Sequence, residues 1–244
     1  MKTLIIIPSR MSASRLPGKP LLEINGLSII SHVSKRAEEA NIGDVIVATE
    51  DQEIVNDVKN NGFKAILTGN THKTGTDRIY EAFKKLNIKN VDFIMNLQGD
   101  EPAINVEDII NLNKKMIKNR SQLGTLAAKI KERSDLENQN IVKVITEKSL
   151  EKNHFPKAVS FLRKTENKDN IYHHIGIYCY SKDTLEKFFQ LNQSKNEIQN
   201  RLEQLRALDN DIEINVSLAK SSPIGVDTEE DYLALKKIME YKKS

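Results

Sequence analysis

Apolar and polar positions alternate in blocks along this chain, and the blocks predict strands and helices in a regular order. The apolar run Leu-Ile-Ile-Ile at 4–7 predicts a buried parallel strand at 3–7. The elements that follow it are a helix at 27–40, a strand at 44–49, a short helix at 51–60 and a short strand at 65–67. This β-α-β-α-β order predicts a doubly wound α/β sheet with parallel neighbours.

The same patterning continues to the end of the chain. It predicts helices over 79–86, 108–118, 183–191 and 197–208, a last helix after Thr228, and strands at 92–97, 123–130, 141–146, 158–162, 175–180 and 213–219. The leucine stripe with Ile198 and the last-helix residues Tyr232, Leu235 and Ile238 are predicted core. Residues 131–140 and 147–157 are predicted loops. Because no segment has the composition of an interdomain linker, we predict one domain over 1–244, with a small inserted sheet region at 123–180.

Composition narrows the class of protein. The chain has 244 residues, 39% hydrophobic and 29% charged, with a net charge of +3 spread along its length. Neither a basic face nor an aromatic stacking platform is visible, so we do not expect a nucleic-acid partner. No apolar run approaches the roughly 20 residues of a membrane span, and no signal-peptide pattern is seen, so a cytoplasmic protein is expected. The single cysteine, Cys179, is predicted to be a buried inert thiol.

A polar segment with three cations follows the first strand directly. It carries Arg10, Arg15 and Lys19 among small residues, at the carboxyl end of a strand, where open α/β sheets bind their ligands. Arginine can fork onto phosphate oxygens, and lysine can act there as a point charge. The segment is therefore either a cradle for a polyphosphate or a solvated loop whose cations have no function, and composition alone favours the loop.

A second polar turn, Gly99-Asp100-Glu101-Pro102, follows the predicted strand at 92–97. Carboxylates beside a cationic loop suggest Mg²⁺, which takes oxygen ligands and bridges to substrate phosphates. An aspartate beside a glycine also suits a simple turn. Asp227 precedes a helix that begins with Thr228 and Asp231 in a capping-box-like spacing. From the residues alone, it is a carboxylate that faces the helix dipole.

Two further motifs leave alternatives open. Thr74 and Thr76, around Gly75, either cap the helix that follows or meet a polar ligand at its N-terminus. The pair His173-His174 lies on a predicted strand, where adjacent side chains point to opposite faces. We therefore expect one histidine to be buried and hydrogen-bonded and the other to lie in solvent, rather than both to bind one metal.

Several segments, in the same order along the chain, resemble the sugar-nucleotide cytidylyltransferases. They are RMSASRLPGKPL at 10–21, TGTDR at 74–78, NLQGDEP at 96–102, HHIGIY at 173–178, LEQLRAL at 202–208 and GVDTEED at 225–231. Within that family the chain looks most like the members that activate the sugar acid 3-deoxy-manno-octulosonate (Kdo). Neither a Walker loop nor a G-x-G-x-x-G fingerprint is present.

The resemblance implies an α/β fold of three layers, α/β/α, with a mostly parallel Rossmann-like sheet of the nucleotide-diphospho-sugar transferase type and a small inserted dimerisation sheet. It also implies an enzyme that uses Mg²⁺ and transfers CMP from CTP to the anomeric hydroxyl of Kdo, releasing pyrophosphate, as a homodimer in lipopolysaccharide assembly. It assigns catalysis to Arg10, Arg15, Lys19, Asp100 and Asp227; CTP binding to Ser9, Arg10, Ser14, Arg15, Lys19, Thr74, Gly75, Thr76, Arg78 and Asp100; the sugar acid to Gln98, Arg163, His174, Tyr178 and Glu203; and the metal to Asp100 and Asp227.

The chain departs from the family pattern near Arg163. Leu162 replaces the serine that precedes this arginine in the family, and the segment from Arg163 to His173 is shorter than usual. These departures favour one alternative, a cytidylyltransferase for another ulosonic acid such as 8-amino-Kdo or a sialic-type acid. A nucleotide-binding regulator without turnover is a second alternative, and the full set of cations and carboxylates argues against it.

Overall fold

The computed structural model describes residues 1–12, 15–132, 134–150, 154–165 and 169–241. The chain divides into two compact units, one formed by 2–109 with 223–244 and the other by 110–222 with Met1. One domain with an inserted sheet region at 123–180 stays a prediction. The second unit extends beyond that region, and the chain enters it inside the continuous helix Val106–Asn119, where no polar linker marks a boundary.

The elements follow one another in a mixed order along the chain. They are β1 (Thr3–Ser9), β2 (Glu23–Ile24), β3 (Leu27–Ser28), α1 (Ile29–Glu39), β4 (Gly43–Thr49), α2 (Gln52–Asn60), β5 (Ala65–Leu67), α3 (Gly75–Leu86), β6 (Phe93–Asn96), α4 (Val106–Asn119), β7 (Leu123–Ala128), α5 (Ser134–Glu137), β8 (Lys143–Thr146), β9 (Ala158–Leu162), β10 (Ile171–Ser181), α6 (Lys182–Gln190), α7 (Lys195–Asn200), α8 (Leu205–Leu208), β11 (Ile214–Leu218) and α9 (Glu229–Tyr241).

The first unit is built on a parallel sheet. β1 pairs in parallel with β4 and with β6, and β4 pairs in parallel with β5. The apolar run at 4–7 is fully buried in β1, and helices α1, α2 and α3 pack against these strands. The predicted α/β class with a mostly parallel sheet is confirmed. Because β1 and β6 are parallel neighbours, the segments that follow them emerge at the same edge of the sheet.

A small hairpin precedes α1, where the pattern predicts that a helix begins at residue 27. Asn25 and Gly26 form its turn with φ values of 53° and 76°, and β2 pairs with β3 on either side. Both central residues of such a turn need positive φ, which explains the Asn-Gly pair. The helix starts two residues later because the Ser28 hydroxyl accepts a hydrogen bond from the Ser31 N–H and caps it.

The second unit is mostly antiparallel. β7 pairs in parallel with β11 and antiparallel with β10, while β8 pairs antiparallel with both β10 and β9. Two predictions about this half of the chain are wrong. The loop predicted at 131–140 contains the single-turn helix α5. The helix predicted over 197–208 is split into α7 and α8 because Arg201 takes a left-handed conformation, with φ at 52°.

Two residues predicted as core are exposed. Ile198 on α7 is 60% exposed, and Ile238 on α9 is 41% exposed. By contrast Leu202, Leu205 and Leu235 are buried, as their spacing predicts. The break at Arg201 rotates Ile198 away from the buried stripe, which a periodicity argument cannot anticipate.

Arg206 in the LEQLRAL segment has a structural role in the second unit. Its guanidinium donates through Nε to Glu197 Oε2 at 2.8 Å and through Nη2 to Glu197 Oε1 at 2.5 Å, and both side chains are buried. It also lies over the Phe188 ring, 4.7 Å from the centroid. A bidentate pair of this kind fixes α7 against α8. Within the described ranges, no helix is long and apolar enough to cross a bilayer.

Candidate active site

A cavity of about 320 Å³ opens in the first unit, at the carboxyl ends of β1 and β6. Its size lies in the usual range for a small-molecule site. Its walls carry both signs of charge, with cations from the segment after β1 and carboxylates from two separate turns. The residues that line it are Pro8, Ser9, Arg10, Arg15, Lys19, Pro20, His72, Lys73, Thr74, Gly75, Arg78, Gln98, Gly99, Asp100 and Asp227.

Lys19 lies between two aspartates. Its ammonium donates to Asp100 Oδ2 at 2.6 Å, to Asp227 Oδ1 at 3.1 Å and to the Val226 carbonyl at 2.8 Å. An ammonium has three N–H donors, so all of them are engaged with protein oxygens. Lys19 therefore holds the two carboxylates together in this structure, whereas the resemblance assigns its charge to the triphosphate.

The backbone brings the two aspartates to the same place. The Val226 N–H donates to the Asp100 carbonyl at 2.9 Å, which ties the segment before α9 to the turn after β6. Gly99 allows that turn to lie against β1, because a Cβ at this position would come within 2.8 Å of the Pro8 carbonyl oxygen. The convergence of Asp100 and Asp227 thus depends on a glycine and a main-chain hydrogen bond.

The other predicted residues of the segment after β1 are placed as follows. Arg15 contacts Asp227 Oδ2 through Nη2 at 2.9 Å and is 60% exposed. Arg10 is exposed and lines the cavity, and Ser9 is buried at its wall. Ser14 lies outside the described residues. The aspartate pair therefore faces cations from two positions of this one segment.

Glu101 is the second carboxylate of the turn after β6. Burial, followed by the nearby charges of Asp100 and Asp227, raises the pKa of Glu101 to about 8. Its Oε2 is buried and has no hydrogen-bond partner among the described residues. Glu101 is thus largely a neutral acid at pH 7, which keeps a third negative charge out of the site.

The two aspartates form an oxygen pair suited to a hard cation. Within the described parts of the chain, no group of three or more His, Cys, Asp or Glu side chains is arranged to hold a metal. Mg²⁺ in phosphate sites, however, is usually bound through one or two carboxylates together with water and substrate phosphates. Asp100 and Asp227 already converge on one positive charge, the Lys19 ammonium, so their donor set fits such an ion.

The start of α3 forms another wall of the cavity. Thr74 caps the helix: its Oγ1 accepts from the Asp77 N–H at 3.2 Å, and the Asp77 carboxylate accepts from the Thr74 N–H at 3.2 Å. Gly75 also lines the cavity, whereas Thr76 is buried within α3. The capping alternative therefore holds for Thr74, which also lines the cavity, and its assignment to CTP stays a prediction.

Arg78 lines the cavity with its charge already paired. Its guanidinium contacts the Glu50 carboxylate and donates to Thr68 Oγ1 at 2.6 Å and to the Gly69 carbonyl at 3.2 Å. The side chain is only 4% exposed. Arg78 consequently joins the ends of β4 and β5 to α3, and its assignment to CTP stays a prediction.

His72 was not singled out from the sequence, yet it lines the cavity. Its Nε2 contacts Glu81 on α3, and Glu81 also accepts from the Gly69 N–H at 3.0 Å and pairs with Lys85 at 2.6 Å. Burial would raise the pKa of Glu81, but hydrogen bonds from Lys85, Gly69 and His72 outweigh it and lower the pKa to about 2. No local motif marks this pair, since nine positions separate the two residues along the chain.

Three of the residues that the resemblance assigns to the sugar acid lie near one another in the second unit: His174, Tyr178 and Glu203. The His174 and Tyr178 rings are 5.5 Å apart between centroids. His174 is buried, and its Nε2 lies 3.1 Å from Thr125 Oγ1. Burial, with further contributions from Tyr180 and the Glu203 charge, raises the pKa of Tyr178. His173 is half-buried and bonds to Ser222, so it does not lie free in solvent as expected.

Arg163 forms hydrogen bonds to the backbone of the second unit. Its guanidinium donates to the carbonyls of Asn200, Gln139 and Arg201 at 2.9, 3.0 and 3.1 Å. Carbonyls do not neutralise its charge, so its pairing with a sugar carboxylate stays a prediction. The Arg163 carbonyl itself accepts from the buried Lys143 ammonium at 2.8 Å, which fixes this segment further.

The buried cysteine is as predicted. Cys179 lies on β10, is fully buried, and burial raises the pKa of its thiol. It is consequently an inert core residue.

Because His174 is buried, we expect the protein to lose stability as the pH falls. Burial, and then the charge of His173, lowers the pKa of His174 to about 3, from an unfolded value of 6.5. Between these pH values the unfolded chain binds a proton that the folded chain does not, so the free energy of unfolding falls as pH falls below 6.5, by up to about 1.4 kcal/mol per pH unit. Urea unfolding at pH 7.5, 6.5 and 5.5 should show a shallower fall for His174→Gln than for the wild type. His154→Gln, at an exposed position, is the control; equal slopes in all three proteins would contradict the assignment.

Comparison with known proteins identifies relatives over nearly the whole chain. A family model described as cytidylyltransferase matches residues 4–214. A 3-deoxy-manno-octulosonate cytidylyltransferase of Nitrobacter winogradskyi is 40% identical and covers 98% of this chain and 94% of its own length. One of Bartonella tribocorum is 39% identical, covering 98% and 99%. A solved structure of CMP:2-keto-3-deoxy-manno-octonic acid synthetase complexed with CTP superposes with a TM-score of 0.90 at 35% identity, covering 99% of this chain and all of its own.

Proposed function

The chain belongs to the cytidylyltransferase family, and within it to the 3-deoxy-manno-octulosonate cytidylyltransferases, and we propose that it transfers CMP from CTP to the anomeric hydroxyl of Kdo. The products are CMP-Kdo and pyrophosphate. The chain is therefore a nucleotidyltransferase. The observation that supports the reaction best is the cavity beside β1 and β6, which gathers cations and two carboxylates. Lipopolysaccharide assembly is the use that the Kdo product implies.

The chemistry explains why these residue types line the cavity. The anomeric oxygen attacks the α-phosphorus in line, and the new P–O bond forms as the bond to the β-phosphate breaks. Pyrophosphate carries away the electron pair of the broken bond, and the hydroxyl gives its proton to solvent. Positioning and charge stabilisation supply most of the catalysis in such a transfer. Arg10 and Arg15 offset the charge of the triphosphate and of the leaving pyrophosphate. Lys19 fixes both aspartates in place.

Asp100 and Asp227 would hold Mg²⁺. Their oxygens converge on one cationic group, and Glu101 beside them is largely neutral. When bound, Mg²⁺ supplies Lewis-acid stabilisation of the phosphate charge. The protein's part is to present the two carboxylates at a fixed separation, which the Val226 to Asp100 main-chain hydrogen bond supports.

The sugar-side assignments, Gln98, Arg163, His174, Tyr178 and Glu203, stay predictions. The alternative substrates, 8-amino-Kdo and sialic-type acids, are not favoured by the relatives, whose names specify 3-deoxy-manno-octulosonate. A non-catalytic regulator is likewise not favoured. A cytoplasmic homodimer belongs to this proposal too. It rests on the family resemblance, and light scattering of the purified protein measures the oligomeric state.

Product analysis tests the proposed reaction. The purified chain is incubated with CTP, Mg²⁺ and Kdo, and the mixture is followed by ³¹P NMR. We expect the three CTP resonances to be replaced by one phosphodiester resonance and pyrophosphate, with a mass that matches CMP-Kdo. In parallel reactions 8-amino-Kdo and a sialic acid replace Kdo. A phosphodiester formed with 8-amino-Kdo or a sialic acid but not with Kdo would reassign the substrate. No conversion with any of the three acids would contradict the proposed enzymatic activity.

A further inference from the structure

The two ring nitrogens of His72 have different surroundings. Nε2 contacts Glu81, whereas Nδ1 has no hydrogen bond among the described residues, and the residue lines the cavity. The pKa of Glu81 is about 2, so its carboxylate is ionised at neutral pH and can only accept hydrogen bonds. Nε2 must therefore carry a proton. In the neutral ring, Nδ1 is then a hydrogen-bond acceptor.

Glu81 is itself held in place. The Gly69 N–H donates to both of its oxygens at 3.0 Å, and Lys85 pairs with Oε1 at 2.6 Å. A Cβ on Gly69 would lie 3.3 Å from Glu81 Oε2, so glycine allows this close approach. Among charged groups, Glu81 contacts the histidine directly, and Lys85 pairs with Glu81. Lys73 and Arg78 line the same cavity, and Glu50 neutralises Arg78.

Hydrogen bonds divide the cavity lining into two groups. One group surrounds the Lys19 ammonium and contains Asp100, Asp227 and Arg15. The other surrounds Gly69, whose N–H binds Glu81 and whose carbonyl accepts from Arg78, and it contains His72. If the first group binds the triphosphate, as the proposed function requires, the nucleoside extends toward the second group.

We propose that His72 is a specificity-determining residue that reads the base of the nucleotide. Its Nδ1 accepts a hydrogen bond from the 4-amino group of cytosine, and Glu81 is the positioning residue that fixes the required tautomer. Uracil carries a carbonyl acceptor at the same position, so it meets a second acceptor and is disfavoured. This inference rests on the proposed function for the orientation of the nucleotide.

Calorimetric binding of CTP and of UTP, without sugar acid, tests the assignment without requiring turnover. All titrations are run at pH 8.5. His72→Gln can still reach Glu81 but loses the acceptor at the Nδ1 position, so we expect the preference for CTP over UTP to fall by about tenfold or more. His72→Asn places its amide oxygen near that position, and we expect it to keep more of the preference.

The Glu81→Gln variant tests whether Glu81 fixes the tautomer of His72 or only holds its ring in place. A glutamine amide can donate to Nε2, which moves the ring proton to Nδ1 and makes that atom a donor. We therefore expect this variant to gain UTP affinity while losing CTP affinity. Lys85→Met removes another partner of Glu81 without touching the histidine, and the CTP:UTP ratio should stay at the wild-type value.

The outcomes are distinguishable. Folded His72→Gln and Glu81→Gln proteins with wild-type CTP:UTP ratios would overturn the assignment of His72, whether or not the enzyme is active. Wild-type protein that prefers CTP but never releases pyrophosphate would overturn the proposed function alone. If His72→Gln does not fold, the ratio in His72→Asn and Glu81→Gln decides the question.

Discussion

Replacing Asp100 by alanine is expected to lower the rate of pyrophosphate release by roughly 10³-fold or more. The reason is that Asp100 and Asp227 converge on one cationic group, and one or two carboxylates are the protein ligands that commonly hold Mg²⁺ against phosphates. Loss of this charge stabilisation removes several kcal/mol from the transition state, and about 4 kcal/mol corresponds to a 10³-fold change. Steady-state kinetics with CTP and Kdo at saturating Mg²⁺ provide the measurement.

Asp92→Asn is the matched control for this substitution. Asp92 is an exposed carboxylate at the opposite end of the same strand, where it accepts from the Lys2 N–H at 2.6 Å. We expect it to retain nearly all activity. Circular dichroism and a thermal melt check that the Asp100→Ala protein is folded. A folded Asp100→Ala protein within tenfold of wild type would contradict the role of this residue.

Lys19→Met is expected to lower kcat by about 10²- to 10³-fold. Without the ammonium, the Asp100 and Asp227 carboxylates lose the group that holds them together and repel one another. The effect should appear mainly in kcat, because a preorganised charge acts most strongly where negative charge develops. Steady-state kinetics at several Mg²⁺ concentrations separate it from a simple loss of CTP binding.

Lys73→Met is the comparison for Lys19→Met. Lys73 lines the same cavity but is exposed to solvent, where a single charge is worth up to about 1 kcal/mol. We expect a loss of less than tenfold. If the two lysine variants lose equal activity, the special position of Lys19 between the aspartates is irrelevant to the reaction, and the account of the site is wrong in that respect.

The fold of the first unit is largely readable from the sequence. Buried parallel strands give continuous apolar runs, so β1 and β4 stand out, and β5 coincides with its predicted bounds. The β2–β3 hairpin had a readable signal, the Asn25-Gly26 pair, which the helical stripe beside it obscured. The division into two units had none, because it falls inside α4.

The site was predictable only as a set of segments. Motifs after β1 and β6 indicate that cations and carboxylates lie at one edge of the sheet. They do not indicate that all three N–H donors of Lys19 bind protein oxygens. The burial that neutralises Glu101 and the contact that orients His72 arise from tertiary packing between distant residues. Such pairs leave no periodicity and no fixed spacing in a single sequence.

Pyrophosphate release in an omission experiment tests whether this chain transfers CMP from CTP to Kdo. The wild-type chain is assayed with CTP, Mg²⁺ and Kdo together, and then with each of the three left out. We expect release only in the complete mixture, because the enzyme transfers CMP to an acceptor and does not hydrolyse the nucleotide. Equal release without Kdo, or no release in the complete mixture, would contradict it.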